Sequence, residues 1–206
     1  AVLLFADLVV GTWLLRAGDR LLETPSGLLT PLELPVAAQV ALAFLLIDAI
    51  ESGLHRLAHV WRPLWLVHAV HHSDPLVDTT TGVRNHPIET SLAIAIRVGV
   101  YVALGLPLWI ELVRVIVVNT LFLWQHANVV NPRWIEALRT VIVTPAVHRQ
   151  HHSPVPPLVD RNFGQMFSFW DRIFGTYAEP VSEAPPEYGL RRLADDRWQT
   201  VAGMIL

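Results

Sequence analysis

The chain has 206 residues, of which 52% are hydrophobic, and a mean hydropathy of +0.41, which is too apolar for an ordinary soluble domain with a polar surface. Its formal net charge of −3 excludes the basic field that nucleic-acid binding requires. The lack of cysteine excludes disulfides, zinc ribbons, thiolate nucleophiles and iron–sulfur clusters. Ten histidines remain as the conspicuous feature of the composition.

Four apolar segments predict membrane-spanning helices, which need about 20 residues to cross a hydrocarbon core of roughly 30 Å. We place them at 1–16, 36–56, 90–105 and 108–127. The turn signal Gly105-Leu106-Pro107 makes the last two a tight helical hairpin. The segments are apolar around most of their circumference, which favours membrane helices. Their shortness leaves open the alternative of core helices in a soluble all-α protein.

The chain opens at Ala1 inside an apolar run, without an initiator methionine or a charged leader. We therefore expect the natural sequence to extend upstream, and we identify no signal peptide. We predict one membrane-embedded domain over 1–180, an all-α bundle of about four transmembrane helices with a cytoplasmic, histidine-rich cap of short helices at 128–180. Proline-rich punctuation marks the end of the cap, and a C-terminal tail follows at 181–206.

Arginine counting predicts the orientation. The histidine-bearing segments 51–89 and 127–206 contain eleven arginines, whereas the loop 16–35 contains two. By the positive-inside rule the histidine side is cytoplasmic. Two spans separate His86 from His126, so all ten histidines would lie on one face of a multi-pass protein, which we place in the inner membrane of a prokaryotic cell.

Eight histidines form three clusters with helical spacing, which brings residues four apart onto one face of a helix. They are His55 and His59; His68, His71 and His72; and His148, His151 and His152. Burial of so many imidazoles without a cation would leave many donors and acceptors unsatisfied. One metal ion takes about four to six ligands, so this number of nitrogens indicates two metals. Nitrogen donors alone do not select iron over zinc, copper or nickel.

Four polar residues stand where they could support metal ligands by accepting a hydrogen bond from the outer N–H of an imidazole. Asp48 and Glu51 lie two turns and one turn before His55, and an interfacial position at a helix end explains either of them equally well. Glu89 lies three residues after His86, and Asn128 lies two residues after His126.

Further motifs accompany the histidines in order from Asp48 to Tyr177. They are Arg84-Asn85-His86-Pro87, Gln125-His126-Ala127-Asn128, Thr144-Pro145, Asn162-Phe163-Gly164 and Trp170–Tyr177, with Ser73 and Ser153 directly after the two H-x-x-H-H clusters. Together they resemble the fatty acid hydroxylase and sterol desaturase superfamily of membrane di-iron oxygenases. One departure is Glu51-Ser52-Gly53-Leu54, where many members carry aromatic residues, and it bears on the substrate more than on the metals.

This resemblance implies that the eight clustered histidines bind two iron ions, with His126 as a further ligand and His86 as a candidate, and that Trp170–Tyr177 packs the cap. It implies no catalytic residue beyond the metal ligands. The reaction would use O₂ to hydroxylate or desaturate an unactivated C–H bond of a lipid, such as a fatty acyl chain or a sterol. Electrons would come from an external reductase or small carrier, because the chain has no G-x-G-x-x-G motif and no cysteine set.

The alternative is a non-catalytic membrane protein that binds or transports metal through the histidines. It predicts ionisable residues spread through the depth of several spans. The interior ionisable residues are chiefly Asp7, Arg97 and Arg114, whereas the histidines gather at one end. A non-catalytic relative of the oxygenases is disfavoured because the three clusters are complete.

Overall fold

The computed structural model describes residues 27–155, 158–181, 188–193, 195, 200 and 203. The regular secondary structure of these residues is helical, apart from one antiparallel bridge between Ile142 and Phe167, and turns and loops connect the helices. The α-helices are α1 (Val36–Val60), α2 (Arg62–His72), α3 (Pro87–Leu104), α4 (Leu108–His126), α5 (Arg133–Glu136), α6 (Pro145–His151) and α7 (Phe169–Phe174). Short 3₁₀ turns lie at Thr30–Leu32, Thr79–Val83, Ala137–Thr140 and Arg191–Leu193. The all-α prediction is therefore confirmed for the described residues.

Three helices, α1, α3 and α4, are long and apolar enough to cross a membrane. They correspond to three of the predicted spans, and the fourth, at 1–16, lies outside the described residues, as does most of the predicted tail. Helix α1 extends to Val60, four residues beyond the predicted span, so that it carries His55 and His59 on its last turns.

Proline and glycine set the ends of the membrane helices. Pro87 occupies the first turn of α3, where a missing N–H costs nothing. The helix ends at Gly105, whose φ of 72° is left-handed and therefore suits glycine. Pro107 then precedes α4, so the predicted hairpin between the two helices is present.

A small apolar core joins the three membrane helices at the end away from the histidines. Its buried members are Ala43, Ile47, Tyr101, Leu106, Leu108 and Ile110. Because they come from α1, from α3, from the turn after it and from α4, their contacts fix the relative positions of all three helices. Much of the remaining helix surface is exposed and apolar, including Leu112, Val113 and Ile116 on α4, as a lipid-facing surface requires.

The segment after α4 forms the cap, which folds back over the histidine-bearing ends of the helices. Helix α6 packs on α4, and α7 packs on α1. Asp48 of α1 anchors the cap, because its carboxylate accepts the backbone N–H groups of Met166 at 2.7 Å and Phe167 at 3.0 Å. The cap is thus held on the membrane helices close to the point where α6 places its histidines.

Candidate metal centre

Nine of the ten histidines converge into two adjacent groups. The five-histidine group contains His55, His59, His68, His72 and His151, and the four-histidine group contains His71, His126, His148 and His152. Within each group the possible ligand nitrogens all lie within 4.8 Å of one another. The side chains come from α1, α2, α4 and α6 and the residue after it, so the centre is assembled from segments far apart in the chain.

Helical periodicity explains how the two H-x-x-H-H clusters are divided. His68 and His72, four residues apart, both enter the five-histidine group, whereas His71 faces the other group. On the cap helix the division is reversed: His148 and His152 enter the four-histidine group and His151 crosses to the first. Each cluster therefore contributes to both groups, which places the two groups side by side.

The Nε2 atoms face one another inside each group. In the five-histidine group, His72 Nε2 lies 3.1 Å from the Nε2 atoms of His59, His68 and His151. In the four-histidine group, His126 Nε2 lies 2.9 Å from that of His148, 3.2 Å from that of His152 and 3.3 Å from that of His71. Several nitrogens thus point at one small volume in each group.

The segment 160–163 fixes the outer face of the five-histidine group. It supplies three oxygen acceptors for imidazole Nδ1–H groups: Asp160 Oδ1 at 2.9 Å from His59, the Arg161 carbonyl at 2.7 Å from His151, and the Phe163 carbonyl at 3.0 Å from His55. An acceptor at Nδ1 puts the proton there and leaves the Nε2 lone pair free.

Two further acceptors act in the same way. Glu89 Oε1 accepts a hydrogen bond from His68 Nδ1 at 2.6 Å. The sequence predicted that Glu89 supports a histidine, but its position suggested the nearby His86 and not His68. In the four-histidine group, His126 Nδ1 donates to the Phe122 carbonyl at 2.7 Å, one turn back on α4.

Two side chains hold the segment 160–163 in place. Asn162 accepts the N–H of Ala178 at 2.8 Å and has the left-handed φ of 59° that asparagine tolerates. Asp171 of α7 accepts the N–H groups of Phe163 at 2.7 Å and Gly164 at 2.8 Å, and burial raises the pKa of its carboxyl. The motifs Asn162-Phe163-Gly164 and Trp170–Tyr177 thus act together behind the histidines. Asp160 carried no signal in the sequence.

The donor set fits a pair of metal cations. Burial lowers the pKa of His68, His71, His72, His148, His151 and His152 well below the usual value, which keeps these imidazoles neutral. Where Nδ1 carries the proton, the Nε2 lone pairs that face each other at about 3 Å share no hydrogen, so their mutual contact is repulsive. His55 Nε2 is also buried without a partner in the described part of the chain. A cation in each group would satisfy all these lone pairs at once.

The structure does not bring His86 and Asn128 to these groups. His86 precedes the first residue of α3, and its Nδ1 accepts the N–H of Ile88 at 3.1 Å, so it caps a helix. Asn128 is exposed just beyond the end of α4.

Asp48 and Glu51 support other parts of the molecule rather than an imidazole. Asp48 anchors the cap backbone, as described above. Glu51 lies in a ring of four ion pairs with Arg97, Glu111 and Arg114. Arg97 contacts Glu51 at 2.9 Å and Glu111 at 2.8 Å, and Arg114 contacts the same two carboxylates at 2.9 Å and 2.8 Å. Glu51 thus pairs with two guanidiniums, and its carboxylate has no imidazole partner among the described residues.

This ion-pair ring lies within the membrane helices and joins all three. Its two cations and two anions balance, which lowers the cost of holding them away from water. Arg97 and Arg114, two of the few interior ionisable residues, therefore pair inside the ring and form no open row of charges through the three described spans.

Comparisons with known proteins agree with this site. A family model described as "Fatty acid hydroxylase" matches residues 40–176, which include all nine grouped histidines. The ornithine lipid hydroxylase OlsE of Rhizobium tropici is 32% identical over 161 residues, covering 78% of this chain and 48% of that protein. No solved structure matches the chain significantly.

Two further relatives have similar identity. The sphingolipid C4-hydroxylase sur2 of Schizosaccharomyces pombe is 31% identical over 154 residues, covering 73% of this chain and 52% of that protein. The alkylglycerol monooxygenase of Danio rerio is 33% identical over 146 residues, covering 66% and 30%. The chain thus spans about half the length of the first two relatives and less than a third of the last.

Proposed function

Since this chain belongs to the fatty acid hydroxylase family, we propose that it is a membrane oxygenase that inserts one oxygen atom of O₂ into an unactivated C–H bond of a lipid. The observation that carries the proposal is the pair of buried imidazole groups, in each of which several ring nitrogens face one small volume. Each group would hold one iron ion, and the iron pair, when bound, would supply the reduction of O₂ and the oxidation of the C–H bond.

The chain's own residues would orient the ligands and keep water away. Glu89 and the segment 160–163 hold four imidazoles of the five-histidine group with Nε2 directed inward. Three of the four residues in the other group are at most 2% exposed, and His152 is 3% exposed. A buried, pre-oriented donor set of this kind limits side reactions with solvent.

The names of the relatives indicate the class of substrate. They act on an ornithine lipid, a sphingolipid and an alkylglycerol, and each name specifies a hydroxylase or a monooxygenase. We therefore favour hydroxylation over desaturation, on a polar lipid of the bilayer that holds the protein. Insertion of one oxygen atom, with release of the other as water, consumes two electrons and two protons, and we assign the electrons to an external donor.

The test combines metal analysis with isotope labelling. Protein purified in detergent should contain about two irons per chain, as two ligand groups require. Cells that express it under oxygen-18 gas should accumulate a membrane lipid with one labelled oxygen, as measured by mass spectrometry. A single bound zinc with no oxygen-dependent product would refute the oxygenase.

Two variants test the assignment of ligands. His71→Ala removes a member of the four-histidine group and should abolish both labelled product and binding of one metal. His86→Asn is the matched control, since asparagine retains the acceptor that caps α3. It should retain metal and product. If His86→Asn lost metal and His71→Ala kept full occupancy, the assignment of ligands to the two groups would be contradicted.

A further inference from the structure

The five-histidine group comes close to the molecular surface at one place. His59, whose side chain is 4% exposed, donates a hydrogen bond to Asp160, whose side chain is 56% exposed. Beside it, the half-buried Trp65 of α2 contacts three imidazoles of the group, with ring-centre distances of 5.2 Å to His59, 5.7 Å to His72 and 6.3 Å to His68. One aromatic side chain thus spans from the surface to three of the five ligands.

The surroundings of Trp65 carry exposed cations. Arg62 is exposed in the first turn of α2, three residues before Trp65 and therefore next to it on the helix. Arg161, also exposed, follows Asp160, and its own carbonyl holds His151. Arg62 and Arg161 carry two positive charges and Asp160 carries one negative charge, so these three side chains have a net positive charge. A partner that binds here by charge complementarity would be acidic.

We propose that Arg62, Arg161 and Trp65 form the docking surface for an acidic one-electron carrier, and that the Trp65 indole couples the carrier to the five-histidine group. This inference rests on the proposed function, which consumes two electrons for each oxygen atom inserted. At each encounter the carrier would give up one electron to a metal ion held by the five-histidine group, and no covalent bond would form or break. Two encounters supply one turnover, and the indole itself is unchanged.

The physical reason is the continuity of packing. Electron transfer decays more slowly with distance through bonded and closely packed atoms than across gaps filled by water. The indole provides packed atoms from the surface to His59, His68 and His72. The four-histidine group is more deeply buried, since none of its members is more than 3% exposed. Electrons should therefore enter through the five-histidine group.

Docking can be measured without turnover, on protein loaded with redox-inactive zinc in lipid nanodiscs. The probe is an acidic plant-type [2Fe–2S] ferredoxin, and its dissociation constant is determined by calorimetry at low salt. Arg62→Glu and Arg161→Glu should each weaken binding about tenfold. Arg133→Glu, which reverses an exposed arginine on α5, should change it less than about twofold. Equal effects at all three positions, or no effect at any of them, would overturn the docking surface.

The route of the electron is tested by flash photolysis. Because the chain has no cysteine, Arg62→Cys and Arg133→Cys each allow a ruthenium photosensitiser to be attached at one position. Reduction of the bound iron, followed by absorbance and by electron paramagnetic resonance, should be at least about tenfold faster from position 62. Adding Trp65→Leu should slow it about tenfold, and Trp65→Phe, which keeps an aromatic ring, should slow it less. Equal rates from both positions would overturn the route.

Iron content is measured for every variant, so that loss of metal is not mistaken for slow reduction. The comparison of positions 62 and 133 keeps Trp65 and does not depend on the Trp65 variants. If the rates differ as expected but no labelled lipid forms, the proposed function fails while the electron entry stands. If labelled lipid forms but the rates from positions 62 and 133 are equal, the proposed function stands and the electron entry fails.

Discussion

At the scale of single residues, the metal centre depends on where each imidazole carries its proton. Five histidines have an oxygen acceptor at Nδ1, and these acceptors come from carboxylates and from backbone carbonyls. Of the two carboxylates, Asp160 has a left-handed φ of 58°, whereas Glu89 lies in the first turn of the helix α3, so Glu89 is the better position to test the principle.

Replacing Glu89 should weaken metal binding in proportion to the loss of the acceptor. Glu89→Ala removes the partner of His68 Nδ1, and loss of such an outer contact lowers metal affinity by about 10- to 100-fold. Glu89→Gln keeps an oxygen acceptor and should have a much smaller effect. The measurement is iron retention against a competing chelator. Equal retention in the two variants would show that the contact does not orient His68.

Gly82 is a second residue on which a ligand depends. A Cβ atom there would lie 3.2 Å from His126 Nδ1 and 3.2 Å from the Phe122 carbonyl, the two groups joined by the hydrogen bond that holds His126. Gly82→Ala should therefore displace His126, with an overpacking cost of about 1–3 kcal/mol. Iron content and thermal unfolding report the change.

Gly53→Ala is the matched control for Gly82→Ala. Gly53 lies inside α1, and a Cβ atom there would meet nothing within 4 Å. Alanine should raise helix stability by about 0.5–1 kcal/mol, since it restricts the unfolded chain. A Gly82→Ala protein as stable and as rich in iron as Gly53→Ala would contradict the close contact with His126.

At the scale of the helices, sequence spacing predicted which histidines share a face but not which faces meet. The pairs His55/His59, His68/His72 and His148/His152 are four residues apart, and each pair stays together in the structure. Whether a pair joins the first group or the second depends on how α2 and α6 are rotated against each other. That rotation is set by contacts far apart in the chain, such as Asp48 with the backbone of residues 166 and 167, which local periodicity does not contain.

The ion-pair ring is a second case in which sequence spacing did not predict contacts between helices. Spacing along α1 predicted that Glu51 lies next to His55, but its carboxylate forms ion pairs with Arg97 and Arg114 on the neighbouring helices. Conversely, Glu89 supports His68 rather than the nearer His86. Charged side chains respond to partners on adjacent helices, and a single sequence does not tell how those helices are packed.

Breaking the ring should cost far more than breaking an ion pair at the surface. Arg114→Met leaves Glu51 and Glu111 in the membrane interior with only Arg97, and removal of one partner from a buried ion pair costs about 3–5 kcal/mol. The control is Arg139→Met, whose partner Glu179 is 58% exposed, and it should cost about 0–1 kcal/mol. Thermal unfolding in detergent gives the difference. Equal losses would mean that the ring does not hold the helices together.

At the scale of the whole molecule, the nine histidines bring the membrane helices and the cap together in one site. Bound metal would connect α1, α2 and α4 with α6, in addition to the packing of α6 on α4 and of α7 on α1. The fold class, three of the spans and the grouping of most ligands were predictable because they follow from apolar length and helical period. The acceptors in the segment 160–163 were not, since two of them belong to the backbone and have no residue signature.

Removal of metal should therefore loosen the molecule as a whole. A ligand present at about 1,000 times its dissociation constant stabilises the native state by about 4 kcal/mol. At about 2–4 °C per kcal/mol for a chain of this size, a chelator should lower the melting temperature by about 10 °C. Scanning calorimetry in detergent measures the shift, and readdition of iron should reverse it. A melting temperature that does not respond to chelation would show that the cap is held without metal.

Because two of the acceptors are backbone carbonyls, side-chain mutations can detect only some of the contacts that hold the histidines. Substitution at Arg161 or Phe163 changes the side chain but leaves the carbonyl that accepts the Nδ1–H hydrogen bond of His151 or His55. A scan of single substitutions would therefore detect the side chains of Asp160, Asn162 and Asp171. It would miss the two hydrogen bonds that the backbone carbonyls of this segment accept. A deletion or insertion of one residue shifts both carbonyls together, so the length of this loop should be under tighter constraint than its composition.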